Sequence, residues 1–205
     1  MIHFILGGAR SGKSRFAERQ VLALAAQLTS NSNTGTENST NNNTNLCEYT
    51  RNAVYIATGT AIDTEMDHRI LKHQNDRGDN WQLIECPLFL ADTLSDLDNH
   101  NIYLVDCLTL WLNNQLYAVD EASSVQQRQH LDTEIDKLIV SLSSVKADVF
   151  IVSNEIGLGV IPMGASTRLY VDYCGWLNQK VAEISDKVTL VTAGIPLCIK
   201  SINAE

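Results

Sequence analysis

Lys13 and Ser14 close the run Gly7-Gly8-Ala9-Arg10-Ser11-Gly12-Lys13-Ser14, whose G-x-x-x-x-G-K-[ST] spacing suits an anion with several phosphates. With little bulk at Gly7, Gly8 and Gly12, backbone N–H groups can converge on phosphate oxygens. A helix starting at Lys13 would add the positive end of its dipole. Lys13 would bring a mobile positive charge to the β- and γ-phosphates, and Ser14 a hydroxyl for Mg²⁺. A second chemistry is written into residues 65–77. Read as a helix, this stretch places Arg69, His73 and Arg77 at i, i+4 and i+8, so two guanidiniums flank one imidazole. Neighbouring positive charge disfavours protonation of that ring, and a neutral histidine is a nucleophile toward phosphorus, with the arginines to hold the phosphate it attacks. The same spacing sets His73 near the face of Met66 and Ile70, where a packed structural histidine would also fit. From the residues alone both readings stay open, whereas His68 falls elsewhere on the helix and reads as solvated.

The elements that must position these groups follow from hydrophobic period. Ile2 to Leu6 is an apolar strand leading straight into the glycine run, and Lys13 to Leu28 is an amphipathic helix leaving it. Further strands are expected at 53–58, 81–86, 102–106, 148–153, 188–192 and 195–200, and further helices at 61–76, 88–97, 108–116, 125–143 and 167–185. Strands alternating with helices imply an α/β fold with a mostly parallel sheet covered on both faces. The last two strands, separated by Ala193-Gly194, are close enough for a hairpin, which would make one edge antiparallel. In such a sheet, ligands bind beyond the C-terminal ends of the strands. Those ends carry the glycine run, Thr58-Gly59-Thr60, Asp106 and Asn154-Glu155. Asp106, closing an apolar strand, would orient a metal opposite Ser14 or cap the helix after Cys107, and the two roles are compatible.

At 205 residues and 44% hydrophobic content, the chain suits one domain, 1–205, with one sizeable core. Its net charge of −9 repels nucleic acid and anionic membranes, so phosphate binding must come from local basic groups. No apolar stretch is long enough to cross a bilayer, and the fold begins at once where a leader would carry a charged region. A cytoplasmic location is expected. The five cysteines have no metal-finger spacing, and several sit in or beside apolar runs as small hydrophobes. From Thr29 to Asn45, 15 of 17 residues are Asn, Ser or Thr. Such a segment buries too little to offset its ordering entropy, so 29–46 is expected to be a disordered insertion. It joins the first helix to the second strand, away from the phosphate loop.

Taken together, GGARSGKSRFAE, YIATGT, E-M-x-x-R-I-x-x-H-x-x-x-R, VSNEIGLGVIP and AGIPLCIK resemble the bifunctional adenosylcobinamide kinase / adenosylcobinamide-phosphate guanylyltransferase family of cobalamin biosynthesis. The similarity runs from Ile2 to Lys200, interrupted mainly by the polar insertion. The phosphate loop is common to many families. The pairing of N-E-[IV]-G-x-G after a strand with R-I-x-x-H is far more specific. The resemblance implies a RecA-like P-loop fold and two reactions. The aminopropanol hydroxyl of adenosylcobinamide takes a phosphoryl group from ATP or GTP; a histidine then attacks the α-phosphorus of GTP and relays GMP to adenosylcobinamide phosphate. The guanylylated histidine falls on His73. Nucleotide contacts fall on Gly7 through Ser14, on Ala57, Thr58 and Gly59, and on Gln74, Asn75, Asp76 and Arg77. Glu85 and Asp106 complete the set, with Mg²⁺ on Ser14 and Asp106. A homotrimer is implied. The chain departs from the family pattern at Arg77-Gly78, where Arg-Pro is frequent, and at Tyr170-Val171-Asp172, where an arginine often stands in the middle. Arg168 remains a candidate phosphate contact or a surface ion-pair partner. Two other functions share the phosphate loop: a small-molecule kinase without guanylyl transfer, and a nucleotide-dependent switch or assembly ATPase using Asn154-Glu155 as a sensor.

Overall fold

The computed structural model of the chain describes residues 1–32, 51–60 and 81–202. The sheet is built around β1, Ile2–Gly7, which is buried at every position. A strand this apolar has no face to offer water, so it becomes the interior of a sheet covered on both sides. Its neighbours are β5, Asp148–Asn154, and β6, Lys187–Thr192, both parallel to it. With β2 (Ala53–Ala57), β3 (Trp81–Glu85), β4 (Ile102–Asp106) and β7 (Ile195–Ser201), the order is β3-β2-β4-β5-β1-β6-β7. Every pairing is parallel except β6 with β7. The expected α/β class and its antiparallel edge hairpin are therefore present.

Among the described residues five helices cover the sheet: α1 (Lys13–Ser32), α2 (Leu90–Ser95), α3 (Leu108–Tyr117), α4 (Ser124–Ser144) and α5 (Ala165–Ile184). Successive strand residues point to opposite faces, which splits the core in two. Phe4, Ile56, Val105 and Ile151 pack with Trp111, Leu138 and Leu177 from α3, α4 and α5. Ile5, Tyr55, Leu104 and Phe150 pack on the other side with Ala17 and Val21 of α1. Each Val, Leu, Ile or Phe among them contributes roughly 1.5–3 kcal/mol when fully buried. That packing holds the strand ends, and whatever they carry, in register.

Element boundaries differ from expectation where local hydrogen bonds intervene. The first helix continues to Ser32, because extending a formed helix costs far less than starting one. The helix expected over 88–97 shrinks to Leu90–Ser95. Its leading carbonyls are taken by side chains of α3: Asn114 Nδ2 donates to Pro87 O at 3.1 Å, and Trp111 Nε1 to Leu88 O at 2.9 Å. Helix α4 starts on a reciprocal cap between Ser123 and Gln126. The helix expected over 61–76, with His73, and the positions Gln74, Asn75, Asp76 and Arg77 lie outside the described residues, as does most of the insertion. No described helix is long and apolar enough to cross a membrane.

One core residue makes stability depend on pH. His3 is buried, with Nε2 2.8 Å from Thr189 Oγ1 and its ring against Phe150. Burial, helped by the charge of Lys187, pulls its pKa from an ordinary 6.5 down to about 4. The unfolded chain therefore takes up the proton first as pH falls. The contribution is whole above pH 6.5 and is lost toward pH 4, a loss of up to ~3 kcal/mol. Urea midpoints from pH 7 to 4.5 should fall less steeply for His3→Gln than for the native chain; parallel slopes would contradict this.

Candidate active site

The β1–α1 turn is shaped by what cannot fit there. A Cβ on Gly7 would lie 2.4 Å from Ser11 Oγ and 2.6 Å from the Val191 carbonyl, so no larger residue is accommodated without movement. Gly12 has φ +91°, in the region that favours glycine. Arg10, at φ 57°, takes a left-handed conformation that costs an L-residue about 1–2 kcal/mol. Ser11 N donates to Gly8 O at 3.2 Å, and Phe16 N to Gly12 O at 2.9 Å, which turns the chain into α1. The loop is braced from the far side by the β6–β7 turn. Ala193 and Gly194, both at positive φ, form the tight turn of the hairpin, and Gly194 N donates to Ser11 O at 2.8 Å. Inside the loop, Ser11 Oγ is the one buried side-chain polar atom without a hydrogen-bond partner among the described residues. An orphaned hydroxyl in a cradle of backbone N–H groups suits a bound anion.

Lys13 is largely buried, and its Nζ donates to Gly8 O at 3.1 Å across the loop. Burial lowers its pKa, and the nearby negative charge of Asp106 works against that shift. The ammonium is thus poised over the cradle, with a weak carbonyl partner that a phosphate oxygen can replace. Asp106 ends β4, and its carboxylate accepts a hydrogen bond from Tyr55 OH at 2.9 Å. It caps no helix, since α3 begins on Cys107 without a side-chain cap. Ser14 and Asp106 offer a hydroxyl and a carboxylate, hard oxygen donors that suit Mg²⁺ when waters and substrate phosphates supply the remainder. Among the described residues no group of three or more His, Cys, Asp or Glu could hold a metal.

Register fixes the rest of the margin. Ala57 pairs with both Glu85 and Asp106, and Gly7 pairs with Asn154. Thr58 follows, and its hydroxyl accepts from Cys107 N at 2.8 Å and donates to Cys107 O at 2.7 Å. Asn114 Nδ2 holds the Thr58 carbonyl at 2.8 Å. Gly7, Ala57, Thr58, Gly59, Glu85 and Asp106 therefore share one edge of the sheet. Glu85 stands exposed on the outermost strand, four strand spacings or about 19 Å from β1. Arg168 is not aimed at the phosphate loop; its guanidinium donates to the carbonyls of Pro162 and Met163.

Three contributors escape a reading of residues alone: Tyr55, Gly194 and Asn114. Tyr55 had a usable signal, since it stands two residues before Ala57 and so on the same face as Asp106, once β2 and β4 are known to be neighbours. Gly194 marks a turn in the sequence, but nothing there tells which loop that turn meets.

A protein-family profile described as "Cobinamide kinase / cobinamide phosphate guanyltransferase" matches residues 34–199. The bifunctional adenosylcobalamin biosynthesis protein CobP of Pseudomonas aeruginosa is 42% identical over 201 residues, covering 98% of each chain. Bifunctional adenosylcobalamin biosynthesis protein CobU of Salmonella typhimurium is 33% identical over 208 residues, covering 98% of this chain and all of its own. The protein of the same name from Escherichia coli is 30% identical over 207 residues with the same coverage. The similarity to the Pseudomonas aeruginosa protein spans phosphate loop, sheet margin and closing hairpin alike, and with the profile match it shows that the chain belongs to the cobinamide kinase / cobinamide phosphate guanyltransferase family.

Proposed function

We propose that the chain phosphorylates the aminopropanol hydroxyl of adenosylcobinamide with ATP or GTP, then moves GMP from GTP to that phosphate through His73, yielding adenosylcobinamide-GDP. The observation that carries the reading is the braced phosphate loop, with Lys13 and Asp106 facing it, in a chain of this family. In the first step the hydroxyl oxygen bonds to the γ-phosphorus, the bond from that phosphorus to the β-bridging oxygen breaks, the nucleoside diphosphate leaves, and the hydroxyl proton passes to solvent. The backbone N–H groups of Gly8 to Ser14 and the Lys13 ammonium hold the charge on the phosphates throughout. Mg²⁺, when bound by Ser14 and Asp106, would neutralise phosphate charge.

In the second step an imidazole nitrogen of His73 bonds to the α-phosphorus of GTP and pyrophosphate leaves. A phosphate oxygen of adenosylcobinamide phosphate then displaces the imidazole. The role of His73, and of Gln74, Asn75, Asp76 and Arg77 around it, rests on spacing and family resemblance. Ala57, Thr58 and Gly59 border the path from the phosphates outward. Glu85, some four strands from the loop, would meet the base or sugar end of the nucleotide. We assign the protein to the cytoplasm and to a homotrimer on the same grounds.

Ordered addition tests the sequence of steps. ATP with adenosylcobinamide should give only the phosphorylated corrinoid, and GTP added afterwards should convert it to the GDP derivative with release of pyrophosphate. Formation of the GDP derivative without a phosphorylated intermediate would contradict the order.

A further inference from the structure

The segment after β5 has a fixed stem and an unusual tip. Asn154 Nδ2 donates to Thr109 Oγ1 at 2.7 Å, and its carbonyl accepts from Asn178 Nδ2 at 3.1 Å. Glu155 N donates to Gly7 O at 3.1 Å, which fastens the stem to the start of the phosphate loop itself. Ile156 packs against the core, and Glu155 Oε1 accepts from Gly157 N at 2.9 Å. From the other end, Arg168 in the first turn of α5 grips the carbonyls of Pro162 and Met163. Between these anchors four large apolar side chains face solvent: Leu158 is 87% exposed, Val160 96%, Ile161 77% and Met163 96%. Four large exposed apolar side chains within one short loop point to a contact surface. Arg168 spends its guanidinium on the loop backbone, so its contribution is to present these side chains.

The family substrate identifies the occupant. Cobinamide carries its reactive hydroxyl on a short flexible arm attached to a macrocycle rimmed with methyl and amide groups. That macrocycle is far too large for the cradle that holds a triphosphate. When the hydroxyl reaches the γ-phosphorus, the ring must lie within an arm's length of the phosphate loop, on a surface that accepts methyl groups. The apolar loop, whose stem at Glu155 is bonded to Gly7 O, offers such a surface close to the phosphate loop in the chain. Another exposed apolar row among the described residues, Ile195, Leu197 and Ile199 of β7, starts at the same margin but runs away from it, antiparallel to β6.

We propose that the loop Leu158 to Met163 is the seat of the corrin macrocycle, with Val160 and Met163 as its principal contacts and Arg168 as the residue that positions it. The assignment rests on the function proposed above. Its test uses the full-length double variant Val160→Ser, Met163→Ser, chosen because neither side chain supports the core. KM for adenosylcobinamide in the kinase step should rise about tenfold or more, and equilibrium dialysis of cobinamide should show the same loss. The nucleotide Kd should stay within about twofold of the native value, which a misfolded chain would not manage. A native enzyme that phosphorylates cobinamide alongside a variant with unchanged KM would overturn the loop assignment and leave the function standing. A variant with altered sedimentation mass and unchanged cobinamide affinity would overturn it too, making the loop a contact between copies. Native protein that binds nucleotide but never phosphorylates cobinamide would remove the functional reading, and this inference with it.

Discussion

Exchange of Lys13 for methionine is expected to slow phosphoryl transfer by about 10²–10³-fold, the range typical of removing one preorganised electrostatic contact to the transition state. Methionine keeps the unbranched stem that packs in the largely buried position and removes only the charge. Lys13 Nζ already sits 3.1 Å from Gly8 O, so the ammonium spans the cradle before any nucleotide arrives and needs little reorganisation to meet it. Burial strengthens its interaction with a phosphate by lowering the local dielectric, and Asp106 helps keep it protonated despite that burial. In the proposed scheme the same loop holds the triphosphate for both reactions, so guanylyl transfer should fall as well. Single-turnover rates at saturating ATP measure the first effect. A loss of less than about fivefold in a variant with native thermal stability would show that Lys13 does not carry the charge assigned to it.

Exchange of His73 for alanine should separate the two activities. Losing a covalent nucleophile removes the route itself, so transfer of GMP to adenosylcobinamide phosphate is expected to fall by at least about 10³-fold. The kinase step draws on Gly7 through Ser14 and Asp106, none of which touches residue 73 in the proposed scheme, and should stay within a few-fold of native. The contrast is diagnostic. A variant that loses both steps equally would point to a structural histidine beside Met66 and Ile70, the packing alternative that the spacing also allows. Retention of guanylyl transfer would mean that water or the acceptor phosphate attacks the α-phosphorus directly.

The centre of the site was legible because its chemistry is local. A strand, a turn that admits only small residues and a helix start lie consecutively from Ile2 to Ser14, so sequence order is also spatial order. The steric demand on Gly7 and the positive φ of Gly12 explain the glycines that the motif requires. Asp106 was legible for a related reason: a carboxylate ending a wholly apolar run must emerge at a sheet edge, and in a parallel sheet that edge is the ligand side. What escaped are contacts between segments distant in sequence. The hydrogen bond from Tyr55 to Asp106 depends on β2 lying beside β4, and the brace from Gly194 to Ser11 depends on β6 lying beside β1. Arg168 illustrates a different failure. Its charge suggested a phosphate contact or a surface ion pair, yet the backbone carbonyls of its own preceding loop compete for the guanidinium and hold it.

The exposed loop after β5 shows how far composition can mislead. Leu158, Val160, Ile161 and Met163 are residue types most often found in a core, and their spacing carries no period that tells which way they face. In the fold the loop's stem is bonded to Gly7, Arg168 holds its far end, and its apolar side chains face solvent. Burial is decided by where an element ends relative to the sheet, which period and composition do not encode.

Intact mass measurement after brief incubation with GTP and Mg²⁺, followed by addition of adenosylcobinamide phosphate, tests most directly whether one nucleotide site is worked at two phosphorus atoms. The native chain should gain the mass of one GMP, lose it when the acceptor is added, and gain nothing when His73 is alanine. An unmodified native chain that nonetheless makes adenosylcobinamide-GDP, or equal modification of the alanine variant, would contradict the covalent relay.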